Sequence, residues 1–203
     1  MPNKIIGKFY GFAVLAMIVG IATPAAANIV TNPGFETGDF TGWATSAPAF
    51  GIGVDTNASD VNSGTYGVYF GSNPSAPSTT SILDQQLATV VGDQYTLTFW
   101  LSEYQGDDLG GFFTAKIGGN VLVNLTDVAQ QDFTQYTATF TASSTTTLLA
   151  FQALNLPGFY GLDDISVTDT TPPPSVPTPP ALLNFLIGLL VIGLSLRQNK
   201  SIG

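Results

Sequence analysis

The sequence predicts an all-β protein, an antiparallel sandwich of the jelly-roll kind, set between two special ends. Three observations predict it. Short runs of β-branched and aromatic residues recur with period-two alternation, turn signals separate them, and nothing between residues 28 and 170 sustains a helical period.

The runs, in order, are FGIGVD (50–55), YGVYF (66–70), TSILDQQL (80–87), QYTLTFWLSE (94–103), FFTAKI (112–117), NVLVNL (120–125), FTQYTATFT (133–141), TTLLAFQA (146–153) and GLDDISVT (161–168). Val91-Gly92-Asp93 and Gly118-Gly119-Asn120 mark turns, the second suiting a hairpin. In the longest run Tyr95, Leu97, Phe99 and Leu101 have the composition of a core face. The opposite face carries Thr96, Thr98, Trp100, Ser102 and Tyr104, polar except for two aromatic rings. Trp43, after the first turn, reads as core.

The two ends are read separately. Lys4 and Lys8, an apolar run from Phe9 to Ile21 and Ala25-Ala26-Ala27 have the layout of a secretory signal peptide, residues 1–27, cut between Ala27 and Asn28 by signal peptidase. TPPPSVPTPP, residues 171–180, reads as an extended linker. The apolar segment 181–196 follows, with Arg197 and Lys200 behind it in a short basic tail that ends at residue 203. At about 1.5 Å per residue it reaches roughly 24 Å, a short transmembrane helix that flanking residues and local thinning can accommodate. The positive-inside rule keeps its basic end in the cytoplasm.

Between the ends, residues 28–170 hold fourteen acidic side chains and one basic one, Lys116, for a net charge of −13. Nucleic acid and anionic membrane surfaces are poor partners for such a domain, and cations are good ones. The chain has no Cys and no His, which removes disulfides, Ser-His-Asp and Cys-His catalysis and the usual zinc ligands. Two carboxylates suffice for a glycosidase. The one loop cluster, Glu103 with Asp107 and Asp108, reads better as solvated, turn-forming acids, so the chain is expected not to be an enzyme.

Two carboxylates stand out. Glu36 sits beside Phe35 in NPGFETGDFTGW (32–43), which reads as the start of a packed β domain. Asp163 shares strand parity with Ile165 and Val167 and is expected to face the core with them. A buried carboxylate costs several kcal/mol unless it is neutralised. One Lys cannot serve several, whereas calcium accepts carboxylate and carbonyl oxygens. Hydrogen bonds from backbone N–H groups, or plain solvation, are the alternatives.

NPGFETGDFTGW, SGTYGVYFG, GDQYTLTFWL and FYGLDDISVT, in that order across nearly all of 28–170, resemble the calcium-stabilised jelly-roll modules of the carbohydrate-binding, galactose-binding-like superfamily. That resemblance implies a structural Ca2+ held in part by Glu36 and Asp163. The tail, VPTPPALLNFLIGLLVIGLSLRQNK, resembles PEP-CTERM sorting signals of the PTPA-type variant, with Pro177, Thr178, Pro179 and Pro180 as the sorting motif. It lacks the central Glu of the commoner form and has two basic residues at its end. This resemblance implies an exosortase-type sorting enzyme as partner.

Trp100 and Tyr104 are the candidate ligand platform, because aromatic faces pack against the apolar faces of sugar rings. A covering loop or a structural role for Trp100 is the competing explanation. The expectation is an exported, non-catalytic protein, transiently anchored in the cytoplasmic membrane and then left at the cell surface or in the extracellular matrix, where it binds polysaccharide. A display module without a glycan ligand is the alternative, and a polysaccharide-cleaving enzyme a distant one.

Overall fold

The computed structural model describes residues 26–46, 51–71, 80–105, 111–155 and 157–173. The signal-peptide expectation up to residue 25, Asp107, Asp108, the sorting motif at 177–180 and the apolar segment 181–196 lie outside them. Among the described residues no helix is long and apolar enough to cross a membrane.

Ten strands form the described chain: β1 (Ala44–Ser46), β2 (Ile52–Asp55), β3 (Gly67–Phe70), β4 (Ser81–Ala88), β5 (Gln94–Tyr104), β6 (Phe112–Ile117), β7 (Asn120–Thr126), β8 (Gln131–Thr141), β9 (Thr146–Leu154) and β10 (Phe159–Asp169). They make two five-stranded antiparallel sheets, β1-β4-β9-β6-β7 and β2-β3-β10-β5-β8. This is the jelly-roll sandwich that the alternation predicts. Each expected run holds a strand, with ends moved by a residue or two. The exception is β1, three exposed residues too short to show a period.

Alternation explains which side each strand buries. Tyr95, Leu97, Phe99 and Leu101 all point inward and are buried. Rings from both sheets meet there: Phe99 lies 5.7 Å from Phe113 and 5.3 Å from Phe151, centroid to centroid. Trp43 closes one side of this core, 5.7 Å from Phe35 and 6.3 Å from Phe151, with its indole N–H on the Asn32 carbonyl.

The register separates two ends of the sandwich. The Gly92 turn, the Gly118–Gly119 hairpin and the connection after β8 lie at one, where Thr170 N–H bonds the Gln94 carbonyl. Asn28 is tied to β10 near that end, bridging to Thr168 and bonding Ile165 and Val167. Tyr104, Gln131 and Phe159 lie at the far end, where β5, β8 and β10 meet.

Two expectations need correction. Asp163 does not share a face with Ile165 and Val167. A bulge between Asp163 and Ser166 inserts a residue into β10, Asp164 takes φ 49°, and Asp163 pairs instead with Trp100 on the outer face of the second sheet. Glu103 is not a solvated loop acid. β5 continues through it to Tyr104, so it pairs with Tyr160 and Gln131, is buried, and accepts Asn155 Nδ2 at 3.3 Å.

Candidate functional site

β2 and β3 are neighbours, yet residues 56–66 between them do not make a tight hairpin. They lie as a strap across the outer face of the second sheet. Two glycines, Gly67 at the start of β3 and Gly161 within β10, make room. A Cβ at Gly67 would collide with the Asp60 carbonyl, and one at Gly161 with the Ser59 carbonyl and the Ser102 hydroxyl.

Side chains from three other parts of the chain hold the strap down. Ser102 Oγ donates to the Ser59 carbonyl at 2.6 Å, and the Tyr104 phenol donates to Asp60 Oδ2 at 3.0 Å. Asp163 Oδ2 accepts the N–H groups of Asn62 and Ser63 at 2.8 and 3.1 Å. Asp164 takes the Asn62 amide and the Ser63 hydroxyl, and Glu36 Oε1 takes the N–H groups of Thr65 and Tyr66 at 2.9 and 3.1 Å.

The two carboxylates singled out from sequence therefore hold adjacent turns of one segment. Glu36 is exposed and Asp163 fully buried. Both flank Gly34: a Cβ built there would lie 3.5 Å from Asp163 Oδ1 and 3.9 Å from Glu36 Cγ. The Pro33 carbonyl accepts Ile165 N–H at 2.9 Å, joining this front segment to the bulge. Burial raises the Asp163 carboxyl to about 6 against three backbone N–H bonds that lower it. Lys116 gives no help, being bonded to Gln152 on the other sheet at 2.6 Å.

The donor chemistry fits a hard cation in part. The ligand atoms at hand are carboxylate oxygens, and one of the carboxyls is buried with no basic partner. Among the described residues, however, no group of three or more Asp, Glu, His or Cys side chains is arranged to hold a metal ion. A calcium here would need backbone carbonyls to complete its shell.

Beside the strap, at the far end, lies an open groove of about 690 Å³. Ala58 and Ser59 form its strap-side wall, residues 102–104 its floor, and residues 130–133 the opposite wall. Its lining mixes hydroxyl, amide and carboxylate groups with the rings of Tyr104 and Phe133. Tyr104 is half-buried, stacked on Phe159 at 5.6 Å, and Phe159 meets Tyr69 edge-on at 6.2 Å. Trp100 is half-buried on the same face, flanked by Gln135 and Asp163, and stands two residues, about 7 Å, along β5 from Ser102.

Sequence reading singled out Trp100 and Tyr104 and passed over Ser59, Asp60, Gln131 and Phe159. A signal existed for the strap: the glycines of YGVYF and YGLDD belong to strand runs, where a glycine marks close backbone approach. Gln131 and Phe159 carried none, since their place around Tyr104 depends on the pairing of three strands.

Comparison with known proteins bears on this site. Residues 27–154 match the family model described as a carbohydrate binding domain, CBM_4_9. No curated protein matches the chain. Among solved structures, TmCBM61 in complex with β-1,4-galactotriose is similar at 22% identity, covering 71% of this chain and 99% of that one, with a TM-score of 0.58. A cyclase from Fischerella sp. TAU is similar at 21% identity, covering 73% and 100%, with a TM-score of 0.55. The CBM22-1 xylan-binding domain of Paenibacillus barcinonensis Xyn10C is similar at 15% identity, covering 75% and 100%, with a TM-score of 0.50. At these identities the solved structures speak for the fold alone, and one of them is an enzyme. The family match covers most of the sandwich, and on it the chain belongs to the carbohydrate binding domain family.

Proposed function

We propose that the protein is an exported, non-catalytic glycan-binding protein that takes a neutral polysaccharide along the outer face of its second sheet. The observation that carries this reading is the far-end groove, where the Tyr104 ring stands beside the hydroxyl and amide groups of Ser59, Ser102 and Gln131, with the Trp100 ring outside the groove on the same face of β5. Membership in the family supports it. The acidic domain disfavours a polyanionic glycan at low salt.

The same proposal includes a structural calcium held by Glu36 and Asp163, which would stiffen the strap beside the groove. It also includes export by the signal peptide, transient anchoring in the membrane, and release to the surface or matrix through the PEP-CTERM-like tail. Residue composition at the two ends supports those parts.

Retention of the protein on immobilised neutral polysaccharides, β-1,4-galactan and xylan among them, tests the binding reading. Trp100→Ala is expected to lose most of the retention while melting within a few degrees of the parent, about 1 kcal/mol. Retention on none of the panel would leave the display-module reading ahead.

One observation favours a second reading. Glu103 and Asp132 both line the groove, and two carboxylates are the minimum for glycoside hydrolysis. Release of reducing sugar from a retained polysaccharide, abolished by Glu103→Gln, would establish it over simple binding.

A further inference from the structure

The strap holds a buried carboxyl that the glycan-binding reading does not use. Asp60 is fully buried, and its Oδ2 accepts the Tyr104 phenol. Its Oδ1 has no hydrogen-bond donor among the described residues. The neighbouring titratable group is a second carboxyl, Asp55, at the end of β2, which pairs across the ladder with Gly67, against which the Asp60 carbonyl packs. Two carboxylates cannot bond each other, whereas a carboxylic acid and a carboxylate can.

We propose that Asp60 and Asp55 share one proton and thereby form a pH-operated latch on the strap. With the proton in place, Asp60 is tied both to β2 through Asp55 and to β5 through Tyr104. With the proton gone, two like charges face each other under the strap and push it from the sheet.

Among the described residues no cation stands by to quench that repulsion. Asp55 faces Asp60 from β2 and also accepts the Asn57 N–H at 2.9 Å. Tyr104 faces it from β5, and Tyr69 on β3 bears on Tyr104. Lys116, the only basic residue among the described ones, is engaged on the other sheet. Burial, then the Asp55 charge, raises the Asp60 carboxyl to about 7, with the Tyr104 hydrogen bond pulling the other way. The latch therefore closes in mild acid and opens in mild alkali. Because Ala58 and Ser59 wall the groove, its opening would reshape that wall.

Amide hydrogen exchange of the full chain in chelator, corrected for intrinsic pH dependence, tests the latch without any glycan. Protection at residues 57–60 is expected to fall roughly tenfold or more between about pH 5 and pH 8, while β5 and β9 amides hold. Asp60→Asn, whose amide can donate to Asp55 and accept from Tyr104, should stay protected throughout. Should that variant not fold, Asp55→Asn removes the opposing charge and should flatten the profile equally. A flat profile in the parent, or an unchanged fall in the variant that folds, overturns the latch.

Discussion

Asp163 stands directly opposite Trp100 in the ladder between β10 and β5, so the carboxylate and the indole share one face of the sheet. Asp163 also carries the strap through Asn62 and Ser63. The proposed ion site and the proposed sugar platform are thus neighbours on a single surface.

That adjacency predicts coupling. Chelation should weaken retention on a bound polysaccharide, and Asp163→Asn should weaken it even in calcium. Affinity electrophoresis with and without chelator measures this. Equal mobility shifts in both conditions would separate the two sites.

Calcium should also stabilise the native fold, because an ion that binds only the folded state adds about 2.7 kcal/mol at a hundred times its dissociation constant. Thermal melting of the protein in calcium and in chelator reads the increment. Glu36→Gln and Asp163→Asn should each shrink it. Equal melting temperatures, with metal removal verified, would leave the backbone N–H groups as the whole partnership of these carboxylates.

Without divalent ions, stability should fall as pH rises. Asp60 and Asp163 bind protons more tightly when folded, at about 7 and about 6, than the roughly 3.9 of an unfolded Asp. Their contribution is complete below about pH 4 and lost as pH climbs through 6 and 7. Calcium should reverse the Asp163 part, since the ion prefers the carboxylate. Melting temperatures from pH 4 to pH 8 provide the check, and a rise across that range in chelator would refute the sign.

The strap predicts an unusual sensitivity at two glycines. Gly67→Ala and Gly161→Ala each place a methyl group against strap backbone, the Asp60 carbonyl in one case and the Ser59 carbonyl in the other. Each should cost about 1–3 kcal/mol by overpacking, read by chemical denaturation. Gly92→Ala meets no neighbouring atom and tests only its positive φ of 92°. Costs for Gly67 and Gly161 below that of Gly92 would mean that the strap sits loosely.

The core was legible in the sequence because alternation along β5 and β9 is a local property. Asp163 shows where locality fails. Its burial was anticipated, but strand parity assigned it to the wrong face, because a bulge shifts parity and the residues after it do not announce one. Glu36 was singled out as a carboxylate within a packed segment, and it is exposed, bonded to a strap whose path only the sheet reveals. Trp100 was placed on the outer face from parity alone. The groove around Tyr104 was not, since its walls come from residues separated by the length of two or three strands.

The central claim is that the far-end groove binds neutral sugar, and chemical-shift mapping tests it most directly. Neutral oligosaccharides titrated into the labelled protein in calcium should perturb Ser59, Ser102, Tyr104 and Gln131, with the Trp100 indole N–H shifting alongside them. Shifts confined to the other sheet, or none from any oligosaccharide that the protein retains in polymer form, would contradict it.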